Sequence, residues 1–247
     1  MRKLLLGDEA IAQAAIDSGL SGVYAYPGTP STEITEFIQL REEKRGEAQD
    51  KIFCRWATNE KTAMEGALGM SYMGKRALVC MKHVGMNVAA DPFVNSAMTG
   101  VNGGLVVVAA DDPSMHSSQN EQDSRFYGKF AMMPIFEPSS QQEAYEMTRA
   151  AFDLSEAVKL PVLMRVTTRM AHSRAVVNVT EEPRKQNEIN RPEDVRTWIL
   201  LPAFAKKRYV KLLEQQDDLM KASLESKYNF YRKGSKPELG VICTGIA

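Results

Sequence analysis

The chain is short of the residues that staples and metal clusters need. Its three cysteines, Cys54, Cys80 and Cys243, are far apart and fall in no Cys-x-x-Cys or Cys/His spacing. That leaves no zinc or iron–sulfur motif and no disulfide framework to read, and it makes a reducing cytoplasm the expected compartment. No apolar run approaches the ~20 residues of a membrane helix, and the Leu4-Leu5-Leu6 stretch behind a basic start is too short for a signal peptide. Lys plus Arg and Asp plus Glu number 31 each, so no net charge draws the chain to nucleic acid or an anionic membrane. No G-x-G-x-x-G follows the first strand pattern and no G-x-x-x-x-G-K-[ST] occurs, which removes the main support for dinucleotide and P-loop binding. No Ser, His and Asp set has nucleophile-elbow context.

What is present reads as an ordinary globular chain of 247 residues, 44% hydrophobic and 25% charged, long enough for one large domain or a domain with an appendage. Short apolar runs alternate with helical patterns over residues 1–175. Strands are expected at Gly22 to Tyr26, Ile52 to Trp56, Ala77 to Met81, Leu105 to Ala110, Pro134 to Glu137 and Pro161 to Val166. The run Leu105 to Ala110 is apolar on both alternating faces, as a strand covered by helices on two sides should be. Between them, Asp8 is placed to cap a helix ending near Gly19, and Thr29-Pro30 has the form of an N-cap followed by proline. Ser140 and Glu143 fit a capping box ahead of a stripe of Ala144, Met147, Ala151, Leu154 and Val158. The class is α/β, a doubly wound and mostly parallel sheet.

The character changes after Arg174. Eight of the fourteen residues from Glu181 to Asp194 are charged, which favours a solvated linker or an extended arm. Pro202 opens a long helical pattern that needs something to pack on. Residues 176–236 are therefore read as a charged linker and long helix, a C-terminal helical arm. Residues 237–247 read as a turn, a buried strand and a strand-to-helix turn, the start of a further α/β domain of a longer protein. A long helix and an unpaired strand also make self-association the expectation.

Four stretches carry chemistry. Asn59-Glu60 opens a helix of small residues, Ala63, Gly66, Ala67 and Gly69, that lets a backbone or a flat cofactor come close. Glu60 stands at the carboxyl end of a strand, where open α/β sheets put ligands, although an acidic residue in a first helical turn also simply complements the helix dipole. Tyr26-Pro27-Gly28-Thr29-Pro30-Ser31 presents amides and hydroxyls to an anion, or Thr29 merely caps. Met81-Lys82-His83-Val84-Gly85-Met86-Asn87 places His83 at another strand end, as a structural or a functional residue. The polar run from Asp111 to Arg125 follows the most apolar strand, either as a functional loop or as a solvated one.

These phrases, in this order, resemble the N-terminal part of indolepyruvate-type alpha subunits in the 2-oxoacid:ferredoxin oxidoreductase family of thiamine diphosphate enzymes. The likeness is strong over residues 3 to 175 and weaker through Leu200-Leu201-Pro202-Ala203-Phe204-Ala205. It implies a pyrimidine-binding domain in which Glu60 contacts the aminopyrimidine ring and shares its proton. It also implies a cofactor site of Gly28, Glu60 and Asn87, and puts Thr29 at the substrate end of the pocket. His83 faces the same crevice, and Arg125 has the chemistry to pair with a substrate carboxylate. The family further implies a 2-oxo acid substrate, coenzyme A, ferredoxin, a partner subunit and a diphosphate-binding domain. Thiamine diphosphate with Mg2+ would be held mainly by that other domain, and iron–sulfur clusters would lie elsewhere in the complete enzyme. Alone, the chain is expected to bind the cofactor weakly and to be inactive. The rivals are another thiamine-dependent 2-oxo acid enzyme, acting on pyruvate or 2-oxoglutarate, and a non-catalytic assembly module.

Overall fold

The computed structural model describes residues 1–46, 50–236 and 238–246. The chain opens with β1 (Arg2–Leu6) and α1 (Gly7–Asp17). It then alternates through β2 (Gly22–Ala25), α2 (Thr32–Arg45), β3 (Phe53–Trp56), α3 (Glu60–Tyr72), β4 (Ala77–Lys82), α4 (His83–Thr99) and β5 (Leu105–Asp111). After a long loop come α5 (Arg125–Ala131), β6 (Ile135–Phe136), α6 (Gln141–Val158), β7 (Val162–Thr167), α7 (Thr168–His172), β8 (Arg174–Asn178) and α8 (Pro202–Leu224).

All six expected strands form one parallel sheet in the order β3-β2-β4-β5-β7-β6. Its two faces are buried in two cores, as near-continuous apolar strands require. Val23, Leu78, Cys80, Val106, Val108 and Met164 point to a core shared with α1, α2 and α6. The alternate residues Val79, Met81, Leu105, Val107 and Leu163 point to a core shared with α3, α4 and α8. Two strands were not expected: β1 and β8 pair antiparallel, Leu4 opposite Val176. Each is half exposed and short, and neither looks like a core strand until the other is beside it.

Three local expectations change. Asp8 does not cap α1. It is the second residue of that helix, and the Glu9 carboxylate instead accepts the Leu6 amide at 2.8 Å. Asp8 has no exposed surface, and burial, with Glu33 and Glu9 beside it, pushes its carboxyl well above the ordinary range. Thr29 does not cap α2, which starts at Thr32. The loop before it closes on itself instead, with the Gly28 amide donating to Thr32 Oγ1 at 2.9 Å and the Ser31 hydroxyl to Gly28 O at 2.8 Å. Only half of the capping box at α6 forms. Ser140 Oγ accepts the Glu143 amide at 3.2 Å, but the Glu143 carboxylate takes the Ser139 amide at 2.8 Å.

The charged stretch after β8 lies along the body. Arg184 pairs with Asp153, Asn187 donates to Glu156 at 2.8 Å, and the Asn190 amide donates to Met73 O at 2.9 Å. Trp198 stacks on Tyr72 at 4.0 Å. The long helix α8 then finds its surface on the α3/α4 face, burying Leu212, while Arg208 donates to the Thr99 carbonyl at the end of α4 at 3.3 Å. Val241 and Ile242, expected in a buried strand, are exposed and have no ladder partner among the described residues. A strand buries its faces only against neighbours, and no strand lies beside this run among the described residues. Pro237 and Ala247, in the same segment, lie outside the described residues.

Candidate functional site

The sheet's direction of growth reverses beside β2: the chain steps to β3 on one side and returns to β4 on the other. The crevice outside the carboxyl ends of two such strands is the usual ligand site of open α/β sheets. Here the loop after β2 touches the end of β4, since a Cβ added to Gly28 would stand 3.3 Å from Lys82 Cβ. The helices that follow β3 and β4 open onto the same edge, and Glu60 is the first residue of one of them.

Asn59 sets the start of α3. It is extended, and its side-chain oxygen accepts the Thr62 amide at 2.9 Å. Glu60 is thereby turned inward, 9% exposed, and its side chain lies over Gly85 in the first turn of α4. A Cβ at Gly85 would meet Glu60 Cγ at 2.6 Å and Oε1 at 2.7 Å. The carboxylate is thus positioned by packing. Among the described residues no hydrogen bond holds it, so its lone pairs face whatever enters the crevice. A carboxylate so placed fits the donor groups of an aminopyrimidine ring. The small-residue helix behind it serves a second purpose: Ala63 and Ala67 are buried, and a Cβ at Gly66 would meet the Tyr24 ring at 2.7 Å. What comes close there is β2's own aromatic side chain. Gly69 has nothing within 4 Å of such a Cβ.

The other expected residues fall into two groups. Gly28 and exposed Thr29 line the β2 side of the crevice, and the Ser117 hydroxyl reaches Thr29 O at 3.5 Å. Asn87 is exposed on α4, and its side-chain oxygen accepts from the Tyr127 hydroxyl of α5. His83 is fully buried, with Nε2 3.0 Å from the Asn120 carbonyl and Nδ1 unpartnered among the described residues. It therefore anchors the long loop against the start of α4. Arg125 sits farther along the sheet edge. Its guanidinium is bidentate to Asp123 at 2.7 and 2.9 Å and reaches Glu137 at 3.4 Å and Thr244 Oγ1 at 2.7 Å. With its donors so engaged it belongs to a charge network with Glu137, Arg165 and Asp111.

Two residues that shape the site stood within the motif stretches but were given no role from the sequence. Lys82 donates to Ser117 O at 2.7 Å, tying the long loop to the end of β4. Asp112 organises the loop itself. Its carboxylate accepts from the Ser117 amide at 2.8 Å and from the hydroxyls of Ser118 at 2.6 Å and Thr168 at 2.7 Å. Burial alone would raise its pKa, but these bonds, with another from the His116 amide, hold it well below the ordinary carboxylate range. The signal available in the sequence was the Asp111-Asp112-Pro113 step at the end of the most buried strand.

A parallel sheet with a switch-point crevice and an inward glutamate over a glycine defines a cofactor-binding α/β domain. A family model described as pyruvate flavodoxin/ferredoxin oxidoreductase, thiamine diphosphate-binding, matches residues 13–219. The chain belongs to that family. It is 44% identical to the indolepyruvate oxidoreductase subunit IorA of Archaeoglobus fulgidus over 98% of its own length and 39% of the relative's. It is 41% identical to the IorA subunit of Thermococcus kodakarensis over 100% of its length and 38% of the relative's. The chain thus spans about two fifths of the curated relatives it matches. Its fold is that of the 2-oxoglutarate:ferredoxin oxidoreductase from Magnetococcus marinus, with a TM-score of 0.66 at 17% identity, covering 94% of this chain and 46% of that one. No described helix is long and apolar enough to cross a membrane.

Proposed function

We propose that this chain is the pyrimidine-binding part of a cytoplasmic 2-oxoacid:ferredoxin oxidoreductase that oxidatively decarboxylates indolepyruvate, forming an acyl-coenzyme A and passing electrons to ferredoxin. The observation that carries this reading is Glu60 inward at the switch point, its Oε1 held over Gly85. The IorA relatives, at 41–44% identity over nearly the whole chain, support the substrate.

When bound, thiamine diphosphate supplies the electron sink for decarboxylation. Glu60, held over Gly85 by packing, would meet the aminopyrimidine ring and supply the carboxylate that shares its proton. Gly28 and Asn87 would flank the ring. Thr29 faces the substrate end, and His83 keeps the loop beyond it in place. Arg125 meets the substrate carboxylate only by releasing part of its hold on Asp123. The Mg2+, diphosphate and iron–sulfur sites belong to other domains or to a partner subunit. Residues 1–175 form the pyrimidine domain, 176–236 its arm, and 237–247 the entrance to the next domain. Phe126 and Phe130, one turn apart on α5 and 69% and 72% exposed, support a protein partner on that side.

The test uses the complete reading frame, produced with its partner subunit. Viologen or ferredoxin reduction is followed with indolepyruvate, coenzyme A and thiamine diphosphate, in native protein and in Glu60→Gln. Activity that collapses in the variant is expected. Activity on pyruvate or 2-oxoglutarate alone changes the substrate, and activity independent of thiamine diphosphate overturns the reading.

A further inference from the structure

On the opposite face of the sheet from Glu60, three helix ends meet. Asp8 is in the first turn of α1, Glu33 in the first turn of α2, and His172 is the last residue of α7. One ligand atom from each, two carboxylate oxygens and an imidazole nitrogen, lies within 4.8 Å of the other two. The ends are fixed to one another. The Gly7 amide donates to Ser173 O at 3.2 Å, and a Cβ at Gly7 would stand 2.2 Å from Met170 O, so α1 starts directly against α7.

Among the described residues, Asp8 is wholly buried and neither of its oxygens has a hydrogen-bond donor. Glu33 Oε2 is buried and equally without a partner. His172 Nε2 stands 3.4 Å from Glu33 Oε1, longer than a good hydrogen bond. No lysine or arginine pairs with either acid among the described residues. A buried carboxylate with no donor must be neutralised, by a shared proton or by a cation. The imidazole bears on the choice, since a proton it carries toward Glu33 leaves Asp8 without a counter-charge. A carboxyl pair sharing one proton has no use for a third ligand aimed at the same point, whereas a cation takes all three.

We propose that Asp8, Glu33 and His172 form a binding site for one divalent transition-metal ion of the zinc class, clamping the start of α2 to the ends of α1 and α7. Two oxygens and one imidazole suit zinc, manganese or ferrous iron better than magnesium or calcium, which favour all-oxygen sets. Ligand atoms around zinc stand about 3–4 Å apart for bonds of ~2.0–2.2 Å, so the set closes with small side-chain rotations. Glu33 and His172 are each 34% exposed, which gives the ion its entry from solvent. The ion holds the first turn of α2, and with it the Gly28–Ser31 loop on the rim of the crevice. The site is structural and requires none of the chemistry proposed for Glu60.

The test is metal binding by the untagged 247-residue chain after removal of metals with a chelator, with no thiamine diphosphate present. Titration with Zn2+ by calorimetry and with Co2+ by visible absorption is expected to show one equivalent bound and ligand-field bands for Co2+. Affinity should fall at least about tenfold in both Asp8→Asn and His172→Ala. Zn2+ should raise the thermal midpoint of the native chain and of neither variant. Asp8→Asn keeps the side-chain volume, and His172→Ala removes a half-exposed ring, so a folding failure of the first leaves the second to decide. Absence of stoichiometric binding by the native chain, or binding that His172→Ala leaves unchanged, overturns the proposal in favour of a proton shared between Asp8 and Glu33.

Discussion

Glu60 lies directly over Gly85: a Cβ there would stand 2.7 Å from Oε1 and 2.6 Å from Cγ. The first turn of α4 is therefore the floor on which the carboxylate rests. In Gly85→Ala the added methyl must displace Glu60, while helix propensity favours alanine by about 1 kcal/mol. The expected outcome in the assembled enzyme is at least a tenfold loss of viologen reduction, with chemical stability changed by no more than about 2 kcal/mol because helix propensity offsets part of the overpacking. Unaltered turnover would show that the carboxylate's position does not matter.

Asp112 gives the long loop a pH-dependent anchor. Its pKa is depressed in the folded chain, so its contribution is present above the unfolded value of about 3.9 and is lost as the pH falls through the folded value. Asp112→Asn should cost about 1–3 kcal/mol at neutral pH, and the gap to the native chain should narrow as the pH drops below about 4. Urea titrations of both proteins at several pH values would reveal a constant gap if the carboxylate charge plays no part.

The two kinds of ion pair should separate cleanly. Arg165 donates to fully buried Asp111 at 2.7 Å, and the Ser124 amide donates to the same carboxylate at 3.1 Å. Removing the acid leaves buried Arg165 with Glu137 alone and strands the Ser124 amide and hydroxyl, so Asp111→Ala is expected to cost about 3–5 kcal/mol. Arg184 and Asp153 are paired with both side chains more than a third exposed, and Arg184→Ala should cost less than about 1 kcal/mol. Denaturant midpoints of equal size for the two variants would contradict this ordering.

The cysteines should react in order of exposure. Cys243 is exposed, Cys54 is half-buried and pushed by that burial to about 11, and Cys80 is buried and raised well above the ordinary thiol range by that burial. Iodoacetamide at mildly alkaline pH should modify Cys243 first, Cys54 slowly, and Cys80 only after unfolding. Peptide mass spectrometry over time gives the order, and early labelling of Cys80 would mean that the first core opens readily.

Much of this was legible in the chain because it is local. A run such as Leu105 to Ala110 states its own burial, and Asn59-Glu60 before Ala63 and Ala67 states where a helix starts and which side is small. The misreadings at Asp8 and Thr29 share one cause. A cap is inferred from residue type and spacing, and in both places a neighbour, Glu9 or Ser31, makes the local bond instead.

The sequence by itself determined the periodicities: the six strands of the parallel sheet, the helices between them, and the order in which motif residues follow strand ends. Only the tertiary structure decided what those ends face. It set Gly28 against Lys82 and Glu60 over Gly85, drew Arg125 into the Asp111–Arg165–Glu137 network, and paired β1 with β8 across nearly the whole domain. It also brought Asp8, Glu33 and His172 together from three helices. The physical reason is that strand order and helix docking are set by how the apolar faces can all be buried at once, and no window of neighbouring residues contains that information.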